Sequence, residues 1–247
     1  MKRLVVLIIV LLVVFSTPAF SAGKITVTQE KLYVLPLYSS HVSFFYAELK
    51  NTGNKPIVVN DGLIELFDNE GVTIDVDSIT DCCPWVLNPG AVGYMFNILT
   101  VEDDERERYI DDYLLTIIGS GTCNVAYTKY LACDGEFQEI KYSPFDETGF
   151  DAIRIDATIY NDIDEILFSD EIRIAIALYD SDNKLLYTDC ISPNFKDRIA
   201  IPAGQSVIFY KNVENMIVES WRKDGIRPTR IETIGYYEEN FVGDEED

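Results

Sequence analysis

Residues 45–71 read FYAELKNTGNKPIVVNDGLIELFDNEG, and residues 155–183 read IDATIYNDIDEILFSDEIRIAIALYDSDN. The two stretches carry the same landmarks in the same order. Asn51 answers Asn161, and Ile64, Leu66, Phe67 and Asp68 answer Ile176, Leu178, Tyr179 and Asp180. Downstream, LNPGAVGYMF (87–96) answers IPAGQSVIFY (201–210), and the glycine closing TIIG, Gly119, answers the one closing TIG, Gly235. Ordered landmarks at a near-constant offset are the signature of an internal repeat.

Both copies alternate with a period of two, as half-buried strands do. Phe45, Ala47 and Leu49 share one face, opposite Tyr46, Glu48 and Lys50. In the second copy Ile153, Ile155, Ala157 and Ile159 share a face, opposite Arg154, Asp156, Thr158 and Tyr160. Asn69-Glu70-Gly71 and Ser181-Asp182-Asn183 have the composition of hairpin turns. Asn88-Pro89-Gly90 and Pro202-Ala203-Gly204 are turns that each open a further strand. Val213, Met216, Ile217 and Trp221 form a helical stripe that Gly225 and Pro228 stop. The first-copy counterpart, Glu102 to Asp112, is read as helix or loop. The fold class expected is all-β, with two tandem immunoglobulin-like antiparallel sandwiches and one short helix in the second copy.

The I-x-L-[FY]-D run, preceded by a strand ending in Asn and followed by a Pro-Gly or Pro-x-Gly turn, resembles the FxLYD-type domain. That family is a small immunoglobulin-like β-sandwich of bacterial exported and envelope proteins. The likeness covers about 60–70 residues of each copy, and Ile64 and Ile176 stand where the pattern has its first Phe. It implies a fold and no shared catalytic residues.

Lys2 and Arg3, then the apolar run Leu4 to Phe15, then Ala19-Phe20-Ser21, read as a secretory signal peptide over 1–21. The expected organisation is domain 1 over 22–120, domain 2 over 121–243 and an acidic tail over 244–247. The boundary falls at Gly119 to Thr122. Without 1–21 the chain keeps 18 Lys plus Arg against 42 Asp plus Glu, a net charge near −24. That field repels phosphates and anionic lipids, so neither nucleic acid nor stable membrane insertion after signal cleavage is expected.

Five cysteines, Cys82, Cys83, Cys123, Cys133 and Cys190, would meet an oxidising compartment on export. Cys123–Cys133 is the disulfide candidate, with all-reduced thiols and a vicinal Cys82–Cys83 bridge as alternatives. Thr80-Asp81-Cys82 and Thr188-Asp189-Cys190 look equivalent. The single histidine, His41, excludes most Ser–His or Cys–His nucleophile arrangements. Asp180 and Asp182 are weak metal candidates, and calcium is the only cofactor considered. From Asp180, however, the sixth and twelfth loop positions hold Leu185 and Ile191, so a hairpin turn is the better reading.

These readings point to an exported, non-catalytic binding or adhesion-type module, secreted or associated with the bacterial cell envelope. Its partner would be a protein or polysaccharide of the cell surface. The alternatives are a carboxylate-dependent hydrolase and a purely structural spacer.

Overall fold

A computed structural model describes residues 24–37, 40–79, 82–102, 110–120, 128–141, 150–192 and 198–238. The segment read as a signal peptide, Gly121 and Thr122 of the GSGT boundary, Cys123, most of 102–112 and the acidic tail lie outside the described residues. The chain is mainly antiparallel β, with one helix among the described residues.

In the first half the strands are β1 (Ile25–Leu37), β2 (Ser40–Asn51), β3 (Ile57–Phe67) and β4 (Thr73–Ile79). After them come β5 (Cys82–Cys83), β6 (Val86–Leu87), β7 (Val92–Glu102) and β8 (Asp112–Ser120). One sheet runs β1-β2-β7-β5, and a second joins β4, β3 and β6, with β8 also pairing β3. The second half holds β9 (Thr128–Leu131), β10 (Cys133–Ile140), β11 (Ala152–Tyr160), β12 (Leu167–Phe168) and β13 (Ile172–Tyr179). It continues with β14 (Leu185–Ile191), β15 (Ala200–Ile201), β16 (Ser206–Asn212), helix α1 (Asn215–Asp224) and β17 (Arg230–Glu238). Its sheets run β10-β11-β16, β12-β15 and β14-β13-β17-β9.

The pairings repeat. β2 pairs with β1 and β7 as β11 pairs with β10 and β16. β3 pairs with β4 and β8 as β13 pairs with β14 and β17. The contact of β3 with β6 is repeated by β12 with β15, because Ser169 to Glu171 split the second-copy strand in two.

The repeated polar residues have structural work. Asn51 and Asn161 are buried. Asn51 Nδ2 donates to the carbonyls of Lys55 and Leu87, both at 2.8 Å. Asn161 Nδ2 donates to those of Glu165 and Ile201, at 2.8 and 2.7 Å. Each Oδ1 accepts from the N–H two residues on, Gly53 or Ile163. Each main-chain carbonyl accepts from a glycine N–H, Gly90 or Gly204, at 2.8 Å. Both glycines have positive φ, 80° and 75°, which side chains with a Cβ rarely adopt. Asp68 and Asp180 likewise cap their hairpins, with Oδ1 accepting from the N–H groups two and four residues on.

Two expected matches shift in register. Ile64 opposes Leu115 and Ile176 opposes Thr233, so the counterpart of Gly235 is Ile117 and not Gly119. A Cβ at Gly235 would collide with Ile159 Cδ1, so that glycine answers a close approach of the two sheets. Ile64 opposes Asp77 and Ile176 opposes Asp189, which makes Ser78, not Cys82, the counterpart of Cys190.

Phe45, Ala47 and Leu49 enter one core with Ile64, Leu66 and Met95, as their alternation predicts. Ile153, Ile155, Ala157 and Ile159 enter the second-half core. The opposite face of β2 departs from expectation. Phe44 and Tyr46, with Tyr33 and Tyr94, are buried in the second-half cluster, because β14, β13 and α1 cover that face. Helix α1 buries Ile217, Val218 and Trp221 and ends in a Schellman turn: Gly225 N–H bonds to the Arg222 carbonyl, and Ile226 N–H to that of Trp221.

Replacing Asn161 by Ala strands the buried carbonyl of Ile201 and the part-buried one of Glu165. We expect a loss of about 2–4 kcal/mol, from roughly 1–3 kcal/mol per unsatisfied group, measured by urea unfolding. Asn161→Asp, which keeps the shape but not the donors, should lose at least as much. A loss under about 0.5 kcal/mol, the usual surface value, would refute the role.

Candidate functional site

The surface between the halves has a polar chain and a cleft. Tyr179 Oη donates to Glu48 Oε2 at 2.5 Å and lies 3.3 Å from Tyr94 Oη, which donates to Glu232 Oε2 at 3.0 Å. First-half and second-half groups therefore alternate along it. Arg230 covers the Tyr179 ring at 3.7 Å and pairs with Glu232. Thr188 Oγ1 donates to the Met95 carbonyl at 3.0 Å. Nearer the helix, Tyr46 packs between Tyr33 and Tyr187, Tyr187 stands edge-on to Trp221, and Trp221 Nε1 donates to Tyr33 Oη at 2.9 Å.

Burial shapes the titration of these phenols. It pushes Tyr33 up to about 12 and holds Tyr46, Tyr94, Tyr179 and Tyr187 well above the ordinary tyrosine value. Neighbouring carboxylates and phenols raise these four further.

Beside this chain opens a cleft of about 560 Å³. The first half contributes Cys82, Cys83, Trp85 and Phe96. Arg173, Asp189, Cys190, Ser192, Lys211 and Tyr236 come from the second. Among the described residues Asp189 is its single carboxylate. It accepts from Tyr187 Oη at 2.6 Å and from the Cys190 N–H at 2.6 Å, and pairs with Lys211. Strand alternation separates the vicinal cysteines. Cys82 opposes Met95 and enters the first-half core, while Cys83 opposes Tyr94 and faces the second half. Cys83 and Cys190 interact across this wall, which raises Cys83 and lowers Cys190; burial raises Cys83 further.

The sequence candidates fall elsewhere. Asp180 is the hairpin cap and Asp182 pairs with Lys184 at 3.8 Å. Among the described residues, no group of three or more His, Cys, Asp or Glu is placed to hold a metal ion. Cys133 begins β10, where its thiol bonds to Thr233 beside Gly235; its candidate partner Cys123 is outside the described residues. His41 is the second residue of β2, at the start of the strand, and half-buried. Tyr130 and Tyr236, weighed as core or platform, face each other across β9 and β17, with Tyr236 buried and Tyr130 partly exposed. Strand spacing did not reveal the Cys83–Cys190 approach. A signal for the covered face was present in IRIAIALY (172–179), where both parities are apolar or small apart from Arg173.

A different surface is open. On the outer side of β10-β11-β16, Tyr160 (41 % exposed), Ile208 (63 %) and Tyr210 (67 %) form a stripe. Arg154 stacks over Tyr210 at 5.0 Å and its Nε donates to Asp156 Oδ1 at 2.7 Å. Gln138 and Asp134 border the stripe, with Gln138 Nε2 donating to Asp156 Oδ2 at 3.4 Å. Neither the protein-family models nor the curated proteins compared with this chain match it.

The phenols give a pH prediction with a definite sign. Their folded values lie above the unfolded value of about 10, so their contribution is complete below that pH. It is lost as pH rises through 10 toward 12 and beyond. The denaturation midpoint should hold up to roughly pH 9–10 and fall above about 10, together with the rise of phenolate absorbance. Phenolate absorbance rising with an unchanged midpoint would contradict the buried network.

Proposed function

We propose that the chain is a pair of tandem immunoglobulin-like β-sandwiches of the FxLYD type, spanning 22–120 and 121–243. In this reading it is exported and acts as a non-catalytic binding or adhesion-type module at the bacterial cell envelope. The observation that carries the reading is the Tyr160–Ile208–Tyr210 stripe. Large apolar side chains grouped on one exposed sheet face mark interaction surfaces.

The register strengthens it. Tyr46 opposes Phe96 and Glu48 opposes Tyr94, as Asp156 opposes Tyr210 and Thr158 opposes Ile208. Tyr210 and Ile208 thus stand where Phe96 and Tyr94 stand in the first half. There the same face docks a whole β unit. In the second half it is open, bordered by hydrogen-bonding groups, and fits a protein or polysaccharide of the cell surface. The hydrolase alternative requires two facing carboxylates across a cleft. Among the described residues the cleft offers Asp189 alone, tied to Lys211. A spacer would be indifferent to changes on the stripe.

The test is capture from envelope extract by the wild-type chain and by a Tyr210→Ala/Ile208→Ser variant, with and without calcium. Protease-treated and polysaccharide-degraded extracts identify the partner class. We expect the variant to lose about tenfold or more in affinity, roughly 1.4 kcal/mol, at unchanged stability. Equal capture by both proteins would discard the reading.

A further inference from the structure

Cys83 and Cys190 come from different halves and meet in the wall of the cleft. Cys83 sits on the side of β5 that faces the second half, opposite Tyr94 on β7. Cys190 lies on β14 opposite Ala175, the side on which Thr188 reaches the first half. Both pack into one buried cluster, and each shifts the titration of the other. Cys190 is half-buried and open to the cleft, with Ser192 Oγ 4.0 Å from its sulfur. Cys82, one residue away, is turned into the first-half core with its thiol donating to the Pro84 carbonyl at 3.4 Å.

We propose that Cys83 and Cys190 are a disulfide-forming pair that fastens the two halves across the cleft. The oxidant is a low-molecular-weight or protein disulfide. The Cys190 thiolate, its proton released to solvent, attacks one sulfur of that disulfide, and the displaced thiolate takes up a proton. Cys83 then attacks Cys190 sulfur in the mixed disulfide, and the second thiol leaves with the Cys83 proton. One S–S bond is broken and one is made. Two electrons pass from the cysteine pair to the oxidant.

Of the two cysteines Cys190 is the readier nucleophile, since the neighbouring Cys83 holds it below the ordinary cysteine value and Lys211 and Arg173 line the same cleft. The bridge closes a loop of roughly 100 residues, the regime where cross-links restrict the unfolded chain most. The supply of oxidant in the cell rests on the export reading; formation of the bridge does not.

The experiment therefore uses the purified full-length chain and added oxidised glutathione. Free thiols are alkylated, the protein is digested without reduction, and linked peptides are identified by fragment mass spectra. We expect Cys83 joined to Cys190, with Cys82 alkylated, and an unfolding midpoint higher than in the reduced protein by on the order of 5–10 °C. C83S and C190S should abolish both the link and the shift, and C82S should keep both. Recovery of Cys83 and Cys190 as alkylated thiols, or of a Cys82–Cys83 link, would overturn the proposal. The mapping is made on the wild-type chain, so this result stands even where a variant fails to fold. Bridge formation with no capture from envelope extract would leave the pair intact and remove only the binding reading.

Discussion

A carbonyl group withdrawn from water must find a donor, and at the same point in each half one asparagine side chain supplies two. Asn51 ties the turn carbonyl of Lys55 to that of Leu87 on β6, and Asn161 does the same for Glu165 and Ile201. Each amide therefore joins a turn after one strand to a short strand far along the chain. The glycine N–H returning to the asparagine carbonyl closes the junction from the other side. Replacing such a residue leaves several buried groups unpaired at once, so the position tolerates little but asparagine. This explains why the copies agree at Asn, Asp and Gly while their surfaces diverge.

With both units closed in this way, their relative placement is set by the outer face of β2 and β7 against β13 and β14. That face is partly apolar and partly a chain of phenols and carboxylates. The apolar part supplies most of the attraction, in proportion to area removed from water. The polar part is directional. Glu48 and Glu232 each accept from a phenol of the opposite half, so a slip of one residue along either strand would break both hydrogen bonds. The cleft follows from the same geometry. It opens beside this chain, where β5 ends after two residues and the edge of β14 is left uncovered.

Much of each unit was legible in the sequence, because local rules govern it. Alternation placed Phe45, Ala47, Leu49 and Ile155 in cores, and the Gly225 stop ended the helix where a Schellman turn forms. The contact between halves was not legible from alternation alone, since the rule assigns the second face of a strand to solvent unless something covers it. Tyr46 was placed outward and is buried for that reason. The Gly119 match failed because the pairing is two residues out of step with the matched letters: Gly62 faces Ile117 where Ile174 faces Gly235. Cys190 could not be paired from letters, because its structural counterpart is a serine, Ser78.

Divergence between the copies is concentrated on one face, and that bears on where recognition resides. In the first half, Tyr46, Tyr94 and Phe96 make the face apolar enough to hold the second half permanently. At the matching positions the second half has Asp156, Ile208 and Tyr210. Exchanging the central tyrosine for a carboxylate, held there by Arg154 and Gln138, interrupts the apolar surface with a charged, hydrogen-bonded group. A permanently buried face would be penalised by that charge. The two faces thus use the same backbone in opposite ways, one covered by the other half and one left open to solvent.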